Sequence, residues 1–497
     1  MLLYLAAGPA MMRSLQGAVL LLLALFVAAV VTYRLLQPPA PLVLPPPGAA
    51  LKSVVLIVPG EGRTGPVDLT VTDGIISHIT PSDAPHVSAY VLPGLVDAHM
   101  HGPMLPFPRE EELYAFLNLY HGVTGVRMAA GDAGMRDAIR QGRYPGPKML
   151  TCGPFIDGEP PLWRSSLVAV DADSARQVVE HVRQAGFDCL KVYNELTTDA
   201  SQALYLQAAV AGLPVIGHVP WRQDATQAWI DDQQHLLGLA PRATGIAGGE
   251  WEGDAGRPPE PVRAMLRLGS VDARRIRALA DSMTETGVAL TPTLITLQRK
   301  FKLQDYEALR ASAPALLMPA YYRDHLWHPR RGLVSARVFS AQDHDQFRRV
   351  YPDAQAALRG LYAQGVSLHT GTDAPAEFIV PGAGLVEELT LLIDAGFTPE
   401  QVLQMSCVES ARALFGDNAG QLLIGSPADF VVYAADPTAK IGHLDTRLAV
   451  VRDGRLYSRA ALEQQLQAYE RWFNSPLYAA LSSALVRAML ALVAWLS

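Results

Sequence analysis

The chain has 497 residues, 49% of them hydrophobic and 18% charged, with a formal net charge of -7. That length exceeds one ordinary core and implies a large domain with an accessory module, while the acidic balance argues against nucleic acid as a partner. Three cysteines, Cys152, Cys189 and Cys407, are too few for a disulfide framework or a thiolate metal knot, and they read as small core residues.

The first element is apolar. Leu15 to Leu36 contains GAVLLLLALFVAAVV between Arg13 and Arg34, long enough at ~1.5 Å per residue to cross a ~30 Å hydrocarbon layer. Residues 1–36 therefore read as an uncleaved membrane anchor. The alternative is a cleaved signal peptide, against which no small-x-small site follows the run. Residues 37–50, with QPPAPLVLPPP, read as a semi-rigid spacer holding the body off the bilayer. An anchor at the start of the chain, ahead of a complete folded body, predicts a periplasmic or extracellular catalytic domain, although similar positive charge on both flanks leaves the positive-inside rule nearly silent.

Residues 51–91 carry short apolar runs with turn signals, and 417–458 repeat the pattern in QLLIGSPADFVVYAADP and RLAVVRDGRLY. Together they predict one small β-sandwich module built from both flanks of the central region. Within 92–416, short apolar runs alternate with amphipathic stretches. Eight strand candidates emerge: Leu95 to Ala98, Val123 to Met128, Lys148 to Cys152, Cys189 to Tyr193, Val215 to His218, Gln234 to Leu237, Val288 to Thr293 and Val366 to Thr372. They predict an α/β fold, a TIM-type (β/α)8 barrel, with a doubly wound open sheet as its rival. Residues 298–363 are too long for an ordinary connection and read as a helical insertion, either a lid or a solvated excursion. Its basic, aromatic run YYRDHLWHPRRG offers Arg323, His325, Arg330 and Arg331 to an acidic substrate group. Residues 459–497 read as a helical tail, whose apolar stretch from Leu477 either meets the membrane or packs on the barrel or a partner subunit.

Polar residues recur at the ends of the predicted barrel strands. In VLPGLVDAHMHG, His99 and His101 are separated by one residue, so both imidazoles leave the strand on one side and supply half a metal site. Lys191 lies inside an apolar strand, where its charge is costly; carboxylation by carbon dioxide would relieve that cost, and snorkelling to the barrel mouth is the alternative. His218, His235 and Asp373 stand at the ends of strands five, six and eight. Tyr193 shares a strand face with Lys191, placed either to donate a hydrogen bond to substrate or simply to pack at the mouth. His369 points inward one layer deeper and reads as a core histidine.

In combination these motifs resemble the amidohydrolase superfamily of metal-dependent hydrolases, and within it the imidazolonepropionase-like and Xaa-Pro dipeptidase-like group, over roughly Lys52 to Tyr457. The resemblance implies a binuclear centre of two divalent ions, Zn(2+) foremost. His99 and His101 would hold the more buried metal, carboxylated Lys191 would bridge, His218 and His235 would hold the second metal, and Asp373 would bind metal and shuttle the proton. It implies hydrolysis of an amide or peptide-type C–N bond in a small molecule by hydroxide from water whose pKa falls from ~15.7 towards ~7. An esterase, lactonase or phosphotriesterase on the same site is the rival enzyme, and a non-catalytic ligand-binding barrel the rival from another class; a homo-oligomer stays open. One departure is Cys407-Val408-Glu409-Ser410-Ala411, unlike the Thr-x-Asn-Pro-Ala common after the barrel, which weakens the placement within the group.

Overall fold

The computed structural model describes residues 9–84, 86–105, 107–221, 223–240, 268–333 and 339–496. A helix spans Pro9–Leu35, and its residues Ala18–Leu35 are long and apolar enough to cross a membrane, with none of that stretch buried. It ends before Pro38 and Pro39, which lack the backbone N–H a helix needs. The Pro-rich segment that follows lies along the body instead of standing free. Leu36 is buried, Gln465 Nε2 donates to the Ala40 carbonyl at 2.9 Å, and the Gly48 N–H donates to the Gly454 carbonyl at 2.8 Å.

The module predicted from both flanks is a single seven-stranded sheet. Its strands are β1 (Ala49–Val58), β2 (Gly62–Thr72), β3 (Ile75–Pro81), β4 (Ala89–Pro93), β13 (Phe430–Tyr433), β14 (Arg447–Arg452) and β15 (Arg455–Ser458), in the spatial order β15-β14-β13-β4-β1-β2-β3. The two ends of the chain meet where β4 pairs antiparallel with β13, Val91 opposite Val432. Asp-Gly pairs make both tight hairpins, because Asp73-Gly74 and Asp453-Gly454 all take the positive φ such two-residue turns require. Val54, Leu69, Val91, Phe430 and Val451 give the sheet its own apolar core.

Seven parallel strands form the central sheet: β5 (Leu95–His101), β6 (Val123–Ala130), β7 (Lys148–Asp157), β9 (Cys189–Val192), β10 (Val215–Gly217), β11 (Asp232–Gln234) and β12 (Ala289–Thr291), with the two-residue β8 (Leu167–Val168) beside β7. Residues 366–374 fill the eighth position. On one side Leu290 N–H donates to the Ser367 carbonyl at 3.0 Å and His369 N–H to the Leu290 carbonyl at 2.9 Å; on the other, Ala98 N–H donates to Thr370 and Thr372 N–H to His99, at 2.8 and 3.0 Å. These bonds bring the sheet round into a barrel.

Two sequence readings change. The sixth strand forms at Asp232–Gln234, ahead of the predicted Gln234 to Leu237, because its three buried side chains are polar and mimic a loop in an apolar count. Cys152 and Cys189, read as separate core residues, are paired in a disulfide between the neighbouring strands β7 and β9, with a Cα–Cα distance of 4.4 Å. Cys407 remains free and buried.

Candidate metal centre

At the barrel mouth β5 presents His99, fully buried, and His101, partly exposed. Asp373 follows the eighth-position segment and takes a φ of 63°, which turns its carboxylate back over β5. Its Oδ1 lies 3.1 Å from His99 Nε2 and 3.0 Å from His101 Nε2. The donor atoms of all three lie within 4.8 Å of one another. Bonds of ~2.1 Å to one ion set donors roughly 3 to 3.5 Å apart, so this corner fits a divalent cation. The His99 contact is close but poorly aligned, and neither of its buried ring nitrogens makes a well-formed hydrogen bond. Orphaned nitrogens of that kind suit ligation. Gly371 allows the approach, since a Cβ there would come within 2.8 Å of the His99 Cβ.

A second corner adjoins the first. The His235 ring centroid lies 4.6 Å from that of His99 and 5.0 Å from that of His218. His218 Nδ1 donates to Asn194 Oδ1 at 2.8 Å, and His235 Nδ1 is 2.6 Å from Thr293 Oγ1, so each ring is oriented through Nδ1 and keeps Nε2 for another partner. Lys191 on β9 is buried, and its Nζ donates to Gln234 Oε1.

Burial decides the protonation of these groups. It drives His99 and His218 well below the ordinary histidine range, with the Lys191 charge acting in the same direction, and lowers His235 to about 3. All three are neutral imidazoles at pH 7, the form that binds metal. Burial lowers Lys191 to about 7, partly opposed by the charge on Asp373. For Asp373 burial alone would raise the carboxyl, but the contacts with His101 and His99 hold it well below the usual range. The centre therefore gathers neutral nitrogen donors around one carboxylate.

Below this layer lies a buried support. Arg127 pairs with Asp232, which also accepts from Thr291 Oγ1 at 2.9 Å and sits 3.3 Å from His369 Nδ1. His369 is thus held in the core. Asp97 accepts from Thr372 Oγ1 at 2.7 Å and from the His99 N–H at 3.1 Å, tying β5 to the segment that carries Asp373.

Tyr193 packs its ring 4.2 Å from His218 and 4.8 Å from Phe155, and Phe155 stacks in turn on the half-exposed Trp163 at 6.4 Å. Phe155 also lies 6.1 Å from His101, so an aromatic wall runs outward from the histidines. The sequence reading missed Asn194, Thr293, Phe155 and Trp163. Asn194 follows Tyr193 directly, yet nothing local announces that it reaches His218. The basic run goes elsewhere: His325, Arg330 and Arg331 line a cleft against the C-terminal helix, and Arg323 lies beside Asp324 and Arg310. What the insertion brings to the mouth is Trp327, whose Nε1 donates to the Pro375 carbonyl two residues beyond Asp373.

Residues 90–456 match the model of the amidohydrolase family. Among solved structures, a bottromycin amidohydrolase superposes with a TM-score of 0.67 at 23% identity, covering 88% of this chain and 93% of that one. A Xaa-Pro dipeptidase with methionine bound in its active site gives 0.57 at 19%, covering 83% and 100%. A prolidase complexed with n-methylphosphonate-L-proline gives 0.59 at 16%, covering 83% and 99%. No curated protein sequence matches the chain at a significant level.

Proposed function

Because the chain belongs to the amidohydrolase family and is a hydrolase, we propose that it cleaves an amide or peptide-type C–N bond of a small molecule while anchored to a membrane. The observation that carries the site assignment is the packing of His99, His101 and Asp373 against the ring of His235 and, through it, His218. His99, His101, His218, His235, Asp373 and carboxylated Lys191 would hold two divalent ions. Such ions, when bound, supply Lewis acidity and lower the pKa of water to near neutrality.

The chain's own groups do the rest. Lys191, lowered to about 7, is neutral in a large fraction of molecules at pH 7, so its amine can add to carbon dioxide and release a proton to give the carbamate. Asn194 and Thr293 fix the two outer imidazoles. Asp373 stands where it can take a proton from the attacking water and deliver it to the leaving nitrogen. The wall of Tyr193, Phe155 and Trp163 favours a substrate with a bulky apolar group beside the scissile bond. Trp163→Ala should raise KM for such substrates by roughly tenfold, leave small ones unaffected, and leave metal content unchanged.

The exposed apolar stretch Ala18–Leu35 of the first helix supports a membrane anchor. The Cys152–Cys189 disulfide supports a body on the oxidising side, periplasmic or extracellular, since such bonds are rare in reducing compartments. The test is a metal count and a substrate panel on the purified full-length protein. Two ions per chain with turnover of dipeptides or N-acyl amino acids are expected. Turnover of only lactones or phosphotriesters would move the activity to those bonds, and no turnover in metal-replete protein would overturn the hydrolase assignment to this site.

A further inference from the structure

The C-terminal helix Pro476–Leu496 is two-faced. Tyr478, Ser482 and Val486, four residues apart, are buried against the body, whereas Leu477, Leu485 and Leu492 are more than 40% exposed. The buried stripe docks the helix beside the insertion, and between them opens a cleft of about 490 Å³. Its mouth gathers positive charge, Arg330 and Arg331 from the insertion and Arg487 from the helix, beside a half-buried His325 that burial pushes below the ordinary histidine range. The acid that lines it, Asp324, is held by Arg310 at 2.5 Å. Arg331 Nη2 contacts His328 Nε2 at 3.0 Å, which aligns the guanidinium without neutralising it. Cations that converge with no unpaired carboxylate among the described lining residues select an anion. The same two segments also line it with Leu333, Met489, Leu490 and Val493, an apolar share of the lining that adjoins the exposed Leu492 of the helix. A phosphate beside a run of hydrocarbon is the chemistry of an anionic phospholipid.

We propose that this cleft binds the headgroup phosphate of an anionic phospholipid through Arg330, Arg331 and Arg487, with the exposed leucines of the C-terminal helix seated at the acyl boundary. The proposal rests on the reading of Pro9–Leu35 as a membrane anchor, which brings the body to a bilayer. Leu36 and the linker dock on the body, with Ala40 against Gln465 of the helix Arg459–Phe473, which precedes the C-terminal helix in the chain. Arginine suits phosphate because its planar fork forms paired hydrogen bonds.

The test uses full-length protein in neutral detergent. Phosphatidylglycerol is expected to raise Tm by roughly 3 °C near saturation, and phosphatidylcholine not at all. The variant Arg330→Gln/Arg331→Gln/Arg487→Gln should lose the shift while keeping its Tm in phosphatidylcholine and its hydrolytic activity; should it fail to fold, Arg487→Gln alone should reduce the shift. An equal response to both lipids, a full shift retained in the variants, or the same shift from inorganic phosphate alone would overturn the lipid site. Failure of the anchor reads out separately, as full-length protein that does not float with phosphatidylcholine vesicles.

Discussion

The barrel mouth and the C-terminal cleft both gather nitrogen bases, but they treat charge in opposite ways. At the mouth, burial strips His99, His218 and His235 of their protons and brings Lys191 down to about 7, with Asp373 as the fixed anion. In the cleft, Arg330, Arg331 and Arg487 stay exposed, and a guanidinium does not give up its proton. Residue type and burial together therefore suit the mouth, with its buried imidazoles and amine, to a cation and the cleft, with its exposed guanidiniums, to the anion proposed for it.

The sharpest way to break this contrast is to remove the anion from the mouth. Asp373→Asn should lower kcat/KM on the order of 10³-fold, measured with the preferred substrate, because it removes the carboxylate proposed both to bind metal and to carry the proton. Lys191→Ala comes next, with loss of metal and activity and partial rescue by short carboxylates. Its pH signature has a definite sign. Burial lowers folded Lys191 to about 7, against 10.5 for the ordinary side chain, so at this position the unfolded chain binds more protons between those values and the Lys191 contribution to the stability of the metal-free protein should rise from pH 7 to 10.5. Lys191→Met should abolish that gain and be the more stable apo-protein at pH 7, as thermal melts across pH would read. Asn194→Ala sharpens the contrast from outside the ligand set, weakening metal binding by ~10 to 100-fold in a chelator titration while the fold survives. The smallest effect is expected in the cleft: Arg330→Gln/Arg331→Gln should leave kcat/KM on a soluble substrate within about twofold, as for surface changes distant from a site.

The same physics separates what was readable in the sequence from what was not. His99 and His101 were readable because strand alternation puts i and i+2 on one face, and Lys191 because a lysine among Cys189, Leu190 and Val192 demands a reason. The sixth strand was displaced because Asp232, Gln233 and Gln234 violate the apolar rule for strands while all three are buried, Asp232 satisfied by Arg127 and Gln234 by Lys191. The disulfide had no local signal, since its partners meet only through the pairing of β7 with β9. Arg330 and Arg331 were assigned by charge to the substrate, but the loop that carries them faces the C-terminal helix. Asn194 and Thr293 act across strands, where spacing along the chain says nothing.

The pairing of β4 with β13 has a consequence for how the molecule comes to exist. Val91 waits for Val432 with the entire barrel between them, so the first sheet cannot be completed until residues 430–458 have emerged. During synthesis, β4 would present an open edge throughout the making of the barrel, a period in which strand edges recruit wrong partners. Once made, the pair acts as a clasp whose loss frees both termini together, so a chain cut short before Phe430 would lack a neighbour for its N-terminal strands as well as its own tail. Quality control acting on this protein would therefore find an early strand exposed whenever a late one is missing.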